Sequence, residues 1–197
     1  MLSRRIKFLF ELIHELYKIE DFKELINHVV DKTSDILKAS RVSLMLYNEE
    51  NCSLKIVASK GVSSDIVNHT EISLGEHIAG IALRENQCFF VENIDSICRK
   101  YGISRRESIT SKFLIVIPLV LGEKFIGILN VTDIEEPGKL SERDRDIILS
   151  ISSHIAQAIE RLRLLEFQKV KIQQAVTLFE ISKTLNSYIE IDDTLDS

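Results

Sequence analysis

The chain holds little that would break regular structure: two prolines and seven glycines in 197 residues. That composition excludes a Pro-rich linker and argues against a long disordered tract. Cysteine is sparse as well. Cys52, Cys88 and Cys98 form an odd set with no C-x-x-C pair. A disulfide framework is therefore not expected, and reduced thiols in a cytoplasmic protein are. Excess positive charge is missing: the formal net charge is −5. Nothing global recommends nucleic acid or an anionic membrane as a partner. Long hydrophobic runs are missing too. The longest uncharged apolar stretch, residues 113–121, falls far short of the roughly 20 residues that span a bilayer. The N-terminus sets basic before apolar residues, but Glu11, His14 and Glu15 interrupt it and no small-residue cleavage site follows. A signal peptide is not expected. No Ser-His-Asp arrangement, Walker loop or HExxH motif is visible, so the chain is not expected to be an enzyme.

What is present is 45% apolar and 28% charged, ordinary for a globular domain of about 150 residues with extensions. The most informative stretch is 111–133. Two nearly continuous apolar runs, 113–121 and 125–131, flank the turn Gly122-Glu123-Lys124. Gly122 accepts the positive φ of a tight hairpin. Runs apolar on both faces predict a hairpin covered on both sides, central to an antiparallel sheet. Gly127 marks a close approach by another backbone or helix, and Pro118 a bulge or a position with its nitrogen off the ladder.

Before the hairpin, Asp21 or Glu20 caps a helix through Leu37, with Leu25, Ile26, Val29, Val30 and Thr33 on one face. Residues 41–47 and 53–59 alternate as two strands around an Asn-rich turn. Residues 62–70 are a connection or short helix, Ile72 opens an extended piece, and 75–85 has helical spacing. Residues 88–91 are a short strand. Residues 96–112 read as irregular and hold Arg99, Lys100, Arg105, Arg106 and Lys112 against one acid, Glu107. After the hairpin, Ser141 with Asp144 starts a helix in capping-box fashion.

That helix shows no stop until about Leu185. Ile151, Ile155, Ala158, Leu162, Leu165, Lys169, Ile172, Val176 and Phe179 step 4-3-4-3, a coiled-coil seam. With Ile151 at d, Lys169 takes an a position and favours a two-stranded parallel pairing. At the other end, Leu9, Ile13 and Leu16 belong to a similar stripe and imply a partner helix. The two ends also resemble each other. Leu178-Phe179-Glu180-Ile181 matches Leu9-Phe10-Glu11-Leu12, and an acidic cap follows each. The last twenty residues read as the opening helix of a second copy of the same unit.

The order of these elements resembles a GAF domain over about residues 20–160. Gly75, Gly80 and Ala82, then Val91 and Ile94, carry the resemblance. Ser111, Pro118, Leu119, Gly122, Gly127, Leu129 and Asn130, with Leu140, Ser141 and Asp144, complete it. It implies an α+β fold: a GAF-like antiparallel sheet of about six strands flanked by helices, with long N- and C-terminal helices forming a dimer bundle or coiled coil. The expected division is a dimerisation helix (1–19), the sensor domain (20–160), a coiled-coil linker (161–187) and the start of a second unit (188–197).

The resemblance also implies a regulatory sensor with a small-molecule pocket under the irregular segment. Its cyclic-nucleotide signature is incomplete here. Asn130 and Asp144 remain, but Val131, Leu140 and Arg145 replace a Lys, a Phe and a Glu. Bilin-binding members pair a pocket Cys with a His, whereas Cys98 is followed by Arg99. Haem would need an axial ligand, and His69, His77 and His154 have no paired context. The family's free methionine-R-sulfoxide reductases carry cysteines where Ile78-Ala79-Gly80 and the run before Ser111 stand. The cofactor is left unassigned. The expected ligand is a small anionic metabolite held by Tyr101, Arg105, Arg106, Ser111 and Phe113, since guanidinium forks suit planar anions. The expected partner is a second copy of the chain, through Leu9, Ile13, Leu16, Ile151, Ile155, Ala158, Leu162, Leu165, Ile172 and Val176. Neither nucleic acid nor membrane is an expected partner. Two alternatives to the sensor stay open: a ligand-free dimerising relay, and a thiol enzyme.

Overall fold

The computed structural model describes residues 11, 13–104, 113–135 and 142–195. Helical residues 13–18 (α1) precede α2 (Phe22–Leu37), β1 (Ala39–Asn48), β2 (Ser53–Lys60), α3 (Ser64–His69) and β3 (Glu71–Ser73). Then come α4 (His77–Glu85), β4 (Phe89–Val91), α5 (Ile94–Tyr101), β5 (Leu114–Leu121), β6 (Lys124–Ile134) and α6 (Glu142–Leu195). The strands form one six-stranded antiparallel sheet in the order β3-β2-β1-β6-β5-β4. The α+β sheet with flanking helices is thus the observed architecture.

The hairpin β5–β6 lies inside this sheet, between β1 and β4. Gly122 turns it at φ +58°. Gly127 faces Leu46 on β1, and a Cβ there would stand 2.1 Å from the Met45 carbonyl oxygen. The backbone approach expected at Gly127 is therefore made by β1. Pro118 lies beyond the end of β4, which pairs only Leu114–Val116. At Pro118 the strand has a single neighbour, as proline tolerates.

Side-chain alternation divides the two central strands between two layers. Leu129 of β6 and Ile117 of β5 face one side. There they meet Thr33, Ile36 and Leu37 of α2, with Ile148, Ile151 and Ile155 of α6. Asn130 of β6 and Met45 of β1 face the other side, under α3, α4 and α5. Helix α2 begins where Asp21 accepts the Glu24 N–H at 2.7 Å, and it buries Leu25, Ile26, Val29 and Val30. Helix α1 is tied to α2 by Lys32, whose Nζ is 2.9 Å from Glu15 Oε2. That hydrogen bond holds the Glu15 carboxyl below its usual range. Tyr17 donates a 2.7 Å hydrogen bond to Gln157 on α6.

Two stretches differ from expectation. Residues 96–101 are helical rather than irregular, because Asn93 accepts the Ser96 N–H at 3.2 Å and Gly102 closes the helix at φ +65°. Ile94 and Cys98, four apart, supply its buried face. Helix α6 also passes the expected stop near Leu185 and runs to Leu195. Residues 19–20 part α1 from α2, but their repeat counterparts are helical. The Ser141 capping box lies outside the described residues. The chain divides into two compact units, Met1–Glu160 and Arg161–Ser197.

Candidate functional site

Between the sheet and helices α3–α5 lies a cavity of about 90 Å³. Its floor is built by register. Arg41 pairs with Thr132, and Ser43 pairs with Asn130, across the β1–β6 ladder. All four line the cavity, with Met45 beside them. The walls are apolar: Ile56 of β2, Ile72 of β3, Ile78 and Ala79 of α4, Ile94 of α5 and Leu114 of β5. Val62, Ile66, Thr70 and Ser104 complete one side. The cavity thus has an aliphatic body and a polar patch on two adjacent strands.

His77 also lines the cavity, at the first position of α4 and at φ +51°. A non-glycine residue in that region is held there by its surroundings, and such residues cluster at ligand clamps. Its neighbour Glu76 accepts the Ser73 N–H at 3.1 Å, which lowers the Glu76 carboxyl. Asn130 Nδ2 lies 3.4 Å from the Met45 thioether, a weak acceptor. Arg41 Nε stands 3.9 Å from Asp133 Oδ2, too far for a hydrogen bond. The titratable groups among the described lining residues are Arg41, His77 and Cys98; no Asp or Glu is among them.

The residues expected to hold a ligand are placed unevenly. Tyr101 ends α5, where its hydroxyl donates to Glu85 Oε2 at 3.2 Å and its ring meets Phe89 edge-on at 5.8 Å. It is not among the described lining residues, nor is the half-buried Phe113. Arg105, Arg106 and Ser111 lie outside the described residues. Arg41, Ser43 and Thr132 had not been singled out. For Arg41 and Ser43 the signal was polarity at alternate positions on the face of β1 opposite Val42, Leu44 and Leu46; Thr132 lies on β6.

The three cysteines are apart in chemistry and place. Cys52 is exposed in the β1–β2 turn, and Cys98 is buried against the cavity. Burial pushes the Cys88 thiol up to about 12, with Arg145 acting in the opposite sense. Among the described residues no three His, Cys, Asp or Glu side chains could hold a metal ion together. No described helix is long and apolar enough to cross a membrane.

The seam positions fall in two environments. Leu16, Ile151, Ile155, Ala158 and Leu162 are buried within the single chain, and Ile13 is half-buried. Leu165, Ile172 and Val176 are exposed, Ile172 by 64%. Leu9 lies outside the described residues.

The fold is matched by known proteins. The GAF domain family model matches residues 20–160. The chain belongs to the GAF domain family. No curated protein matches it. Solved GAF structures resemble it at low identity. The GAF domain of Acinetobacter phosphoenolpyruvate-protein phosphotransferase is 18% identical over 83% of this chain and 97% of its own, at a TM-score of 0.69. Residues 122 to 287 of a methyl-accepting chemotaxis protein are 19% identical over 78% and 98%, at 0.64. Free methionine-R-sulfoxide reductase from Neisseria meningitidis is 16% identical over 80% and 89%, at 0.63. At these identities the structures share the fold with this GAF domain.

Proposed function

We propose that this GAF domain is a regulatory sensor of a cytoplasmic signal-transduction protein. It takes a small molecule into the cavity and relays the change through dimeric terminal helices. The observation that carries this reading is the division of β6 between two layers. Asn130 lines the cavity, while its neighbour Leu129 meets Ile151 and Ile155 of α6 on the opposite face. A ligand that shifts β6 acts on α6 through one strand, without a chain of intermediates. The exposed stripe of Leu165, Ile172 and Val176 supplies the surface for pairing with a second copy. The repeat that begins at Leu178 supports a second unit following the helix.

The domain is read as regulatory rather than catalytic. Of its thiols only Cys98 lines the cavity, and the segment 78–80 holds no cysteine. One observation favours the ligand-free relay: the cavity is small against the roughly 300–1,000 Å³ of pockets for drug-sized ligands. Native mass spectrometry of the purified chain, repeated after denaturation, separates the two. A dimer carrying extra mass that leaves on denaturation is expected of the sensor. A dimer without bound mass, and unresponsive to a metabolite thermal-shift screen, belongs to the relay. A monomer overturns pairing through the exposed stripe.

A further inference from the structure

The cavity between the sheet and helices α3–α5 is larger than a packing fault. Interiors are close-packed and hold few voids beyond the roughly 10–15 Å³ that admits one water. The apolar space on the other face of the sheet, under α2 and α6, measures about 30 Å³, against about 90 Å³ here. Exposure grades along the lining. Arg41, Ser43, Asn130, Thr132 and His77 are half-buried and keep contact with solvent. Met45, Ile72, Ile78, Ala79, Ile94 and Leu114 are buried, and they come from β1, β3, α4, α5 and β5. A chamber framed by so many elements closes only if several of them move together. A water inside it wants about two to four polar partners. These six side chains offer one weak acceptor, the Met45 thioether, which Asn130 Nδ2 already approaches at 3.4 Å. The inner end of the cavity is therefore a poor place for water.

We propose that this chamber takes a small neutral aliphatic molecule. Its hydrocarbon body lies among Met45, Ile72, Ile78, Ile94 and Leu114, and a polar end stays on the half-buried side. This rests on the sensor reading above and assigns that site its ligand class. Burial selects hydrocarbon: each methylene moved from water into such a chamber multiplies affinity about fourfold. Charge is selected against, because a buried ion needs a partner of opposite sign. The described lining holds no Asp or Glu for a cation. Its one permanent cation, Arg41, is already engaged, with Asp133 Oδ2 3.9 Å from its Nε. Size limits the body. An apolar cavity of roughly 150 Å³ admits benzene, so one of about 90 Å³ suits about four carbons and excludes a nucleotide or a tetrapyrrole. Met45 adjusts the fit, since an unbranched thioether side chain fills irregular gaps.

The test uses the full chain with isotope-labelled isoleucine δ1 methyls, since Ile72, Ile78 and Ile94 line the chamber. The straight-chain alcohols from ethanol to 1-octanol, and butanoate, are titrated by methyl NMR. The expected result is saturable binding of 1-butanol, with nuclear Overhauser contacts from its alkyl protons to those three methyls. It should bind at least about tenfold tighter than ethanol, and alcohols much longer than 1-butanol should gain nothing further. Butanoate should bind at least about tenfold weaker than 1-butanol. Ala79→Leu puts a larger side chain into the chamber and should abolish binding with the circular dichroism retained. Should it fail to fold, Ile72→Val decides; one methyl more of space should move the chain length at which affinity levels off upward by about one carbon. Butanoate binding as tightly as 1-butanol overturns the neutral assignment. Affinity that climbs through 1-octanol, binding that survives in folded Ala79→Leu, an unmoved optimum in Ile72→Val, or no saturable binding of any alcohol overturns the chamber as the site. A charged or strongly polar bound mass in the native spectrum would then leave the sensor reading standing. An empty spectrum would remove both.

Discussion

Helix α6 carries one heptad pattern through two environments. Between Glu142 and Glu160 the pattern's apolar positions are consumed by the domain itself. Ile151 and Ile155 lie against Ile117, Leu129 and α2, and Ala158 is fully buried. Beyond Arg161 the same spacing continues, yet Leu165, Ile172 and Val176 are exposed. A 4-3-4-3 repeat states that a helix has a partner along one side. It does not state whether that partner is the helix's own domain or another chain. The second region also exposes Leu164, Phe167, Leu178 and Ile181, outside the a and d positions. It presents more apolar surface than a two-stranded seam uses.

The contrast breaks most sharply under a buried charge. Ile155→Asp places a carboxylate at a site 4% exposed, among aliphatic side chains. It should cost about 4 kcal/mol or more and unfold much of the population. Denaturant melts followed by circular dichroism measure it; a loss under about 1 kcal/mol would show that this half is not core. Ile172→Asp is the matched change in the exposed half. It should leave the domain's melting temperature within a degree or two and halve the mass in light scattering. Loss of domain stability there would place Ile172 in the fold. Leu162→Asp is a poorer probe, because Leu162 is already 2% exposed in the single chain and would report folding and association together.

Smallest in effect is Lys169→Ile, at an a position of the exposed half. It should strengthen association by about 1 kcal/mol and admit species larger than dimers, since polar a residues hold pairing to two strands. Sedimentation equilibrium reads both. Unchanged affinity and stoichiometry would remove Lys169 from the seam.

The fold was legible where local chemistry and tertiary packing agree. The β5–β6 hairpin was readable from its apolar runs and Gly122, and α2 from Asp21 and its spaced Leu, Ile and Val. Asn93-Ile94-Asp95 reads as a cap, and the structure makes Asn93 one; the helix after it was hidden by its basic residues, while Cys98 and Gly102 are the signals that bury and close it. The cavity was harder. Arg41 and Ser43 alternate with Val42 and Leu44, and such alternation ordinarily means a solvated face. Only the register that sets Arg41 opposite Thr132 and Ser43 opposite Asn130, with helices above, shows that these half-buried residues floor a cavity. Register joins residues about ninety positions apart, and no local pattern encodes it. Asn130 did stand out, as a remnant of a family signature, but not as part of a floor. Tyr101 lies close in sequence to the basic segment, but the structure sets it at Glu85 and Phe89.

The central claim is that one helix serves two partners: its own domain first, then a second copy in parallel register. Single-cysteine cross-linking tests it most directly. In a chain with Cys52→Ser, Cys88→Ser and Cys98→Ala, Leu165→Cys and Val176→Cys are oxidised in turn. A disulfide needs Cα atoms within about 4.4–6.8 Å. A parallel seam brings both positions to their own counterparts, so both variants should give disulfide-linked dimers on a non-reducing gel. An antiparallel pair can bring at most one of them together, because the two are eleven positions apart (176 − 165), about 16 Å along a helix. Cross-linking at one position only, or at neither, would contradict the account.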